Sequence, residues 1–199
     1  TLNQTAGNAR VDSFGSKNLT ETGGTVASTV GKLGNAADFT AAQTRYLGAT
    51  GYATLTVVSI EGWIRCDSGG NGGIMTFEGA AAGLRVSRDG DNFKISFGAS
   101  GNDALALAGL TADTPHHIYF AYDTATHTGY GAIDGGTISS TTDAGYDPNL
   151  TTPHLYLGLT DGAAWGDLWI DALNIRNRLL NQANVNAAYN SGNGIDITL

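Results

Sequence analysis

The fold is decided by the last fifth of the chain, which reads His154-Leu-Tyr-Leu-Gly158, then Leu168-Trp-Ile-Asp-Ala-Leu-Asn-Ile-Arg-Asn-Arg-Leu-Leu180, then Tyr189-Asn-Ser-Gly-Asn-Gly194. The first two runs are rich in apolar residues and predict strands, and the second places Asp171 between apolar neighbours. From Leu180 to Tyr189 apolar residues recur at helical spacing, and the glycines that follow predict the helix end. We therefore expect two strands and one short helix to close the chain.

Short runs of β-branched and aromatic residues fill most of the remaining sequence at intervals of about ten residues, as in an all-β sandwich. In Arg88-Asp-Gly-Asp-Asn92 and Asp134-Gly-Gly136, a glycine after aspartate supplies the positive φ of a tight turn. Strands are predicted at Thr25–Val30, Ala36–Phe39, Arg45–Leu47, Leu55–Arg65, Gly73–Phe77, Leu84–Ser87, Phe93–Phe97, Ala104–Leu107, His116–Tyr122, Thr128–Ile133, Leu155–Leu159 and Leu168–Ile175.

Composition narrows the class of protein. With 199 residues and no linker, charge block or repeat, the chain is expected to form one domain over residues 1–199. A formal net charge of -8 argues against a nucleic-acid partner, because phosphates are bound mainly by Lys and Arg. No stretch approaches the roughly 20 apolar residues of a membrane span, so no membrane contact is expected. The single cysteine, Cys66, excludes an internal disulfide.

Five groups of residues follow one another in a recognisable order. They are Asp12-Ser-Phe-Gly-Ser-Lys-Asn-Leu19 with Gly31-Lys-Leu-Gly-Asn-Ala-Ala-Asp-Phe39 and Tyr46-Leu47, Ser59-Ile-Glu-Gly-Trp-Ile-Arg65, Pro115-His-His-Ile-Tyr-Phe-Ala-Tyr-Asp123, Gly131-Ala-Ile-Asp-Gly135, and Ile170–Leu180 with Tyr189-Asn190. Together they resemble the laminin-G-like, concanavalin-A-like jelly-roll modules. The resemblance implies an all-β fold, a two-sheet antiparallel jelly-roll β-sandwich with one short C-terminal helix. The ending Tyr189–Gly194 resembles modules of phage virion and bacterial surface proteins.

Some relatives in this broader superfamily are glucan hydrolases, which need two carboxylates on one strand face beside the scissile bond. The three glutamates Glu21, Glu61 and Glu78 lie far apart in sequence. The closest aspartates, Asp89 and Asp91, fall on a predicted hairpin tip. We therefore expect no catalytic residues and no enzyme activity.

Histidine offers no clear metal or catalytic site in the sequence. His116 and His117 adjoin each other on a predicted strand, so their side chains point to opposite faces and cannot bind one metal together. No Ser-His-Asp arrangement can be argued from residue order alone. We expect these histidines to be packed and hydrogen-bonded within the sheets.

One candidate binding surface lies on a single predicted strand. Alternation places Glu61, Trp63 and Arg65 on the same face, where an aromatic ring and two charges could stack on and hydrogen-bond a sugar. The alternative is that Trp63 belongs to the core and that Glu61 pairs with Arg65 as a structural contact.

Aromatic residues in or near predicted loops form the other candidate surface. Trp165 lies in Thr160-Asp-Gly-Ala-Ala-Trp-Gly166, and Tyr130 and Tyr146 lie near or in other loops. Such rings supply apolar faces for carbohydrate or protein contact. The alternative for Trp165 is a loop anchor that folds onto the edge of the sandwich.

Asp171 is the candidate metal ligand. A carboxylate in an apolar strand is costly to bury unless it is paired or metal-bound. In the modules that the sequence resembles, this Asp lies beside a structural Ca²⁺ held largely by backbone carbonyls, which the resemblance places around Asn8–Asp12 and Gly34–Ala36. Ala172 stands where those modules often have an acidic residue. Pairing of Asp171 with an arginine or a backbone N–H is the alternative.

These features predict a non-catalytic adhesion or recognition module that binds carbohydrate or a cell-surface receptor. The expected setting is a phage virion or bacterial surface protein, and the expected location is extracellular or on the virion surface. A structural module that contacts other virion or surface subunits is the alternative. A glycan-active hydrolase is the weaker alternative.

Overall fold

The computed structural model describes residues 17–68, 72–79, 83–98, 103–142, 148–159 and 167–194. The strands of this part of the chain are β1 (Thr20–Thr22), β2 (Ala27–Val30), β3 (Asn35–Phe39), β4 (Tyr46–Ala49), β5 (Val57–Cys66), β6 (Gly72–Glu78), β7 (Gly83–Asp89), β8 (Asn92–Gly98), β9 (Asp103–Ala108), β10 (His116–Asp123), β11 (Thr128–Ile133), β12 (Ser139–Thr142), β13 (His154–Leu157) and β14 (Leu168–Arg176). One α-helix, α1 (Gln182–Tyr189), follows them, and 3-10 turns occur at Ala41–Gln43 and Asn190–Gly192.

The strands form two antiparallel sheets of seven strands each. The front sheet has the order β1-β4-β13-β6-β7-β8-β9, and the back sheet has the order β12-β11-β10-β5-β14-β3-β2. Neighbours such as β4 and β13, or β5 and β14, are far apart in sequence, as expected when long connections cross between two sheets. The predicted all-β jelly-roll sandwich with one short C-terminal helix is confirmed.

Every predicted strand has a counterpart in the structure, but β1 and β12 were not predicted. Their sequences, Thr-Glu-Thr and Ser-Ser-Thr-Thr, contain no apolar residue, so they show no hydrophobic alternation. Both are edge strands, β1 of the front sheet and β12 of the back sheet. An edge strand with little buried surface is fixed by its neighbour's hydrogen bonds, and periodicity alone does not detect it.

The main core fills the space between the two sheets. It is built from inward-facing apolar residues that alternate along the strands, among them Leu47, Ile60, Ile64, Phe77, Phe93 and Phe120. Gly129 on β11 faces the ring of Phe97, where a Cβ atom would have no room. The predicted hairpin turns are also present, since Gly90, Asp134 and Gly135 all have positive φ.

The outer face of the back sheet is covered by α1 and the residues that precede it. Leu180 and Val185 pack there against Tyr119, Ala121 and Ala132. The helix begins two residues later than predicted, because its N-cap residue Asn181 has an extended backbone, and Leu180 before it hydrogen-bonds through its backbone to the Tyr119 hydroxyl. No helix in the described part of the chain combines the length and the apolar composition needed to cross a membrane.

Candidate binding site

Glu61, Trp63 and Arg65 lie on one face of β5, the outer face of the back sheet, but two of them are buried. Trp63 is 2% exposed, and its ring stacks on Tyr189 at 6.0 Å between centroids and meets the edge of His117 at 5.5 Å. Because Tyr189 and His117 cover the Trp63 ring, the packing favours a structural role for Trp63.

The two charged residues of this face have different partners. Glu61 is 3% exposed and does not pair with Arg65 as the structural alternative supposed. Its Oε1 accepts a hydrogen bond from Arg176 Nη1 at 2.8 Å, and its Oε2 lies 3.0 Å from His117 Nε2. Arg65 instead donates to Asp67 at 2.7 Å. A role for Glu61, Trp63 and Arg65 in binding stays a prediction.

The ionisation of Glu61 follows from these contacts. Burial raises the pKa of the Glu61 carboxyl, but the hydrogen bond and charge of His117 and the nearby guanidinium of Arg176 outweigh that effect, so the pKa is lowered. The Glu61 carboxylate is therefore held charged although it is buried on the outer face of the back sheet.

Asp171 is also buried on this outer face, at 1% exposure. The backbone N–H of Leu33 donates to its Oδ2 at 2.6 Å, which is the backbone partner that the alternative interpretation expected. Leu33 belongs to the turn that joins β2 to β3, in which Gly31 N donates to Gly34 O. Asp171 thus ties this turn to β14.

Calcium at Asp171 stays a prediction. One carboxylate oxygen is engaged by an N–H group, and the backbone carbonyls expected around Asn8–Asp12 lie outside the described residues. In the part of the chain that the structure describes, no cluster of three or more His, Cys, Asp or Glu residues could hold a metal ion.

The loop aromatics are only partly described. Trp165 and Tyr146 lie outside the described residues. Tyr130 lies on β11 and packs, partly buried, against the cluster beneath α1 that includes Tyr119 and Leu180. Its position on the strand places it on the outer face of the back sheet.

A cleft on the outer face of the front sheet was not predicted. Its volume is about 390 Å³, and it is lined by Lys17, Asn18, Thr20, Thr22, Tyr46, Gly48, Ala49, Thr50 and Tyr156. Alternation explains its position: Leu47 on β4 and Leu155 on β13 face the core, so Tyr46 and Tyr156 face outward. Gly48 pairs directly with Tyr156 across the two strands.

Two tyrosine rings form the apolar part of this cleft. The centroids of Tyr46 and Tyr156 are 5.6 Å apart and the ring planes meet at 81°, an edge-to-face arrangement. Between them Gly48 carries no side chain, and a Cβ atom there would already lie 3.4 Å from both rings. A larger residue at position 48 would fill the space beside the rings, so glycine keeps the cleft open.

Polar groups lie near the hydroxyl of Tyr156. The Tyr156 hydroxyl lies 3.0 Å from His154 Nδ1, and Glu78 is the strand partner of His154 on β6. Glu78 Oε2 lies 3.9 Å from Arg85 Nη2. Burial raises the pKa of Tyr156, and the nearby Glu78 and Tyr46 raise it further, so its hydroxyl keeps its proton.

A signal for this cleft exists in the sequence. His154-Leu-Tyr-Leu157 and Tyr46-Leu-Gly-Ala49 each alternate a core residue with an outward one. An outward aromatic on a strand is a candidate contact residue. The sequence does not indicate that β4 and β13 are neighbours, because their pairing joins segments about a hundred residues apart in the chain.

The structure also joins Thr111, His116 and Asp134, an arrangement that residue order could not indicate. His116 Nδ1 lies 2.6 Å from Asp134 Oδ2, and its Nε2 lies 2.9 Å from Thr111 Oγ1. The backbone N–H of Thr111 also donates to Nε2 at 3.1 Å, so this nitrogen is engaged as an acceptor and is poorly placed to activate the hydroxyl. These contacts fasten the loop before β10 to the turn after β11.

Comparison with known proteins rests on structure, since no protein-family model matches the sequence and no curated protein is significantly similar to it. Domain 4 of AbnA, a GH43 extracellular arabinanase from Geobacillus stearothermophilus solved in complex with arabinotriose, has a TM-score of 0.71 at 19% identity, with 92% of each chain covered. The fold is that of the concanavalin-A-like, laminin-G-like jelly rolls.

Two toxin domains share this jelly roll. The binding domain of Paraclostridial Mosquitocidal Protein 1 has a TM-score of 0.67 at 15% identity, covering 92% of this chain and 51% of that one. The Botulinum Neurotoxin serotype G binding domain also has a TM-score of 0.67, at 17% identity, covering 90% of this chain and 47% of that one. The chain therefore spans about half the length of these toxin domains. At such identities the likeness concerns the fold of the jelly roll alone.

Proposed function

We propose that this jelly roll is a non-catalytic recognition module that binds a neutral oligosaccharide in the cleft between Tyr46 and Tyr156. The observation that carries the proposal is the pair of outward tyrosine rings with Gly48 between them. Aromatic rings with a polar edge suit ligands that have both apolar C–H faces and hydroxyl groups, as sugars do.

The lining of the cleft favours a neutral ligand, because Lys17 is the one charged residue among the described residues that line it. Thr20, Thr22, Thr50 and Asn18 supply hydroxyl and amide groups that can both donate and accept hydrogen bonds. The volume of about 390 Å³ lies within the roughly 300–1,000 Å³ of small-molecule sites. The formal net charge of -8 repels polyanions at long range, which disfavours acidic polysaccharides.

Three of the structural neighbours support recognition over catalysis. They include two toxin binding domains and an arabinanase domain in complex with arabinotriose. A retaining glycosidase needs two carboxylates about 5–5.5 Å apart. No carboxylate is among the cleft-lining residues in the described part of the chain, and Glu61 is committed to His117 and Arg176. We accordingly propose that the chain acts outside the cell, as part of a bacterial surface or phage virion protein.

The test is binding of arabinotriose and a glycan array to the parent chain and to Tyr156→Ala. We expect Tyr156→Ala to weaken binding by about 1 kcal/mol or more, the effect of truncating a contact aromatic. Tyr130→Ala is the comparison variant, because it removes a half-buried tyrosine on the opposite sheet that the sequence also proposes as a contact residue. Loss of binding in Tyr130→Ala alone would place the ligand on the back sheet. Thermal melts show whether each variant is folded. Unchanged binding in folded Tyr156→Ala would place the ligand elsewhere.

Two further measurements address the alternatives. Incubation with β-glucans, arabinans and galactans is expected to release no reducing ends, and turnover lost in Glu61→Gln would instead establish a hydrolase. Size-exclusion chromatography with light scattering tests the structural alternative, in which the module contacts other virion or surface subunits. A stable oligomer that binds no glycan would favour that alternative.

A further inference from the structure

The hydroxyl of Tyr156 has a partner on its own strand. His154 lies two residues earlier on β13, so both side chains extend from the same face of the front sheet. His154 Nδ1 and the Tyr156 hydroxyl oxygen are 3.0 Å apart, and the two rings meet at 67° with their centroids 6.1 Å apart. One of these two groups must donate the proton of this hydrogen bond and the other must accept it.

The donor in this pair decides what the cleft offers to a ligand. A neutral imidazole has one ring nitrogen that accepts and one that donates, whereas a phenol can do both. If Tyr156 donates to Nδ1, its only proton is used, and its oxygen can only accept hydrogen bonds from the cleft. If Nδ1 carries a proton and donates it, the hydroxyl proton is released to the cleft.

We infer that His154 is a positioning residue whose Nδ1 accepts a hydrogen bond from the Tyr156 hydroxyl, because a phenol is the better donor and an imidazole nitrogen the better acceptor. The cleft then selects sugars with a free hydroxyl that donates to the Tyr156 oxygen. This inference rests on the proposed function of the same cleft. An ether or ester at that point of the ligand can only accept hydrogen bonds, so it meets another acceptor and binds more weakly. Truncation of His154 removes this preference without removing the tyrosine ring.

Protonation of His154 would reverse the preference. Histidine is the side chain that changes charge between about pH 5 and pH 8. Once protonated, His154 donates from Nδ1, and the Tyr156 hydroxyl becomes a donor toward the cleft. Among the described residues, the titratable or charged groups around this pair are Glu78 on β6, Arg85 on β7, Tyr46 on β4, and Lys17 at the cleft wall.

The first measurement needs no ligand. Nitrogen-15 spectra of the histidine rings at about pH 8 report which ring nitrogen carries the proton. We expect His154 to carry it on Nε2, with Nδ1 as the acceptor, and Tyr156→Phe to shift the Nδ1 resonance of His154. A proton found on Nδ1 at this pH would overturn the inference, because Tyr156 would then be the acceptor.

The second measurement compares arabinotriose with its per-O-methylated form as probes. The measured quantity is the affinity for arabinotriose divided by the affinity for the per-O-methylated form. In the parent chain this ratio is expected to fall about two- to tenfold from about pH 8 to about pH 5, which corresponds to one neutral hydrogen bond. His154→Phe keeps a flat ring and removes both nitrogens, so its ratio should not change with pH. His127→Asn is the control for the background, because His127 lies in the turn between β10 and β11 and has a positive φ that asparagine tolerates.

The outcomes separate the two proposals. If Tyr156→Ala loses binding but the parent ratio is the same at both pH values, the cleft binds sugar and the role of His154 is wrong. If Tyr156→Ala binds as the parent does, the proposed function itself fails. If neither probe binds the parent chain, the proposed function fails for this ligand class, and the ring spectra still decide the hydrogen-bond direction.

Discussion

Arg176 Nη1 donates to Glu61 Oε1 at 2.8 Å across 115 positions of sequence, joining the end of β14 to the middle of β5. His117 lies on the other oxygen of the same carboxylate, so three neighbouring strands of the back sheet meet at one buried charge. Removal of one member of such a group leaves the others buried without their partner, which is costly. The cluster therefore contributes to holding the sheet in this register.

Stability should fall in acid because of Glu61. Its pKa is lower in the folded chain than its ordinary value of 4.5, so its contribution is complete above about that pH. That contribution is lost as pH falls through the lower pKa of the folded state, since the unfolded chain then binds the proton more readily. Urea denaturation between neutral pH and about pH 3 measures the loss.

The matched variants for this prediction are Glu61→Gln and Glu21→Gln. At neutral pH, Glu61→Gln should lower the free energy of unfolding by about 1.5–3 kcal/mol, the value of hydrogen bonds to a charged group. It should also flatten the acid dependence. Glu21 lies on edge strand β1, and its replacement should change stability by no more than about 0.5 kcal/mol. An acid dependence equally steep in Glu61→Gln and the parent would assign the effect to other carboxylates.

How far the sequence predicts this structure can be judged from particular residues. Alternation placed Glu61, Trp63 and Arg65 on one face of β5 correctly, because the strand period is local information. It could not show that Tyr189 and His117 would cover Trp63, since that burial depends on where the C-terminal segment folds back. The Tyr46–Tyr156 cleft was missed for the same reason, because it exists only when β4 and β13 pair.

Gly31 is expected to be intolerant of any side chain. A Cβ atom there would fall against Asp171 Oδ2 and Ala36 Cβ, both of which are buried. Gly31→Ala should lower the free energy of unfolding by about 1–3 kcal/mol, as overpacking does. Thermal or chemical denaturation measures this loss. Gly90→Ala is a control for glycine replacement in general, because nothing lies within 4 Å of a Cβ atom at that turn, although its positive φ adds some strain. Equal losses in the two variants would show that crowding at Asp171 is not the cause.

The loop that contains Trp165 and the cleft that contains Tyr156 are alternative contact surfaces for the ligand. If the loop that contains Trp165 binds the ligand, Trp165→Ala should weaken binding by about 1 kcal/mol or more and leave the melting temperature nearly unchanged. If Trp165 is a loop anchor, the melting temperature should drop and binding per folded molecule should persist. Calorimetric titration of arabinotriose into both alanine variants separates the cleft from the loop. Weaker binding in both variants would indicate that the loop and the cleft belong to one binding surface.

The final prediction concerns calcium at Asp171. A ligand that binds only the folded state stabilises it by about 2.7 kcal/mol at a hundredfold excess over Kd, which is about 5–10 °C in the melting temperature of a chain of this size. Melts in chelator and in added Ca²⁺ should therefore differ clearly if Asp171 is a ligand. Asp171→Asn is the informative variant, because its amide oxygen can still accept the Leu33 N–H while the charge is removed.

The two roles of Asp171 predict different results for this variant. If Asp171 is a calcium ligand, the melting temperature of Asp171→Asn no longer depends on Ca²⁺, because Ca²⁺ favours carboxylate oxygens. A carboxylate that only receives the Leu33 N–H gives equal melts with and without chelator, and the asparagine then costs little. Asp167→Asn is the control, since this exposed aspartate directly precedes the same strand. If Asp167→Asn abolished the calcium dependence and Asp171→Asn did not, the ion would lie at the end of the sandwich, and Asp171 would serve only to hold the turn between β2 and β3.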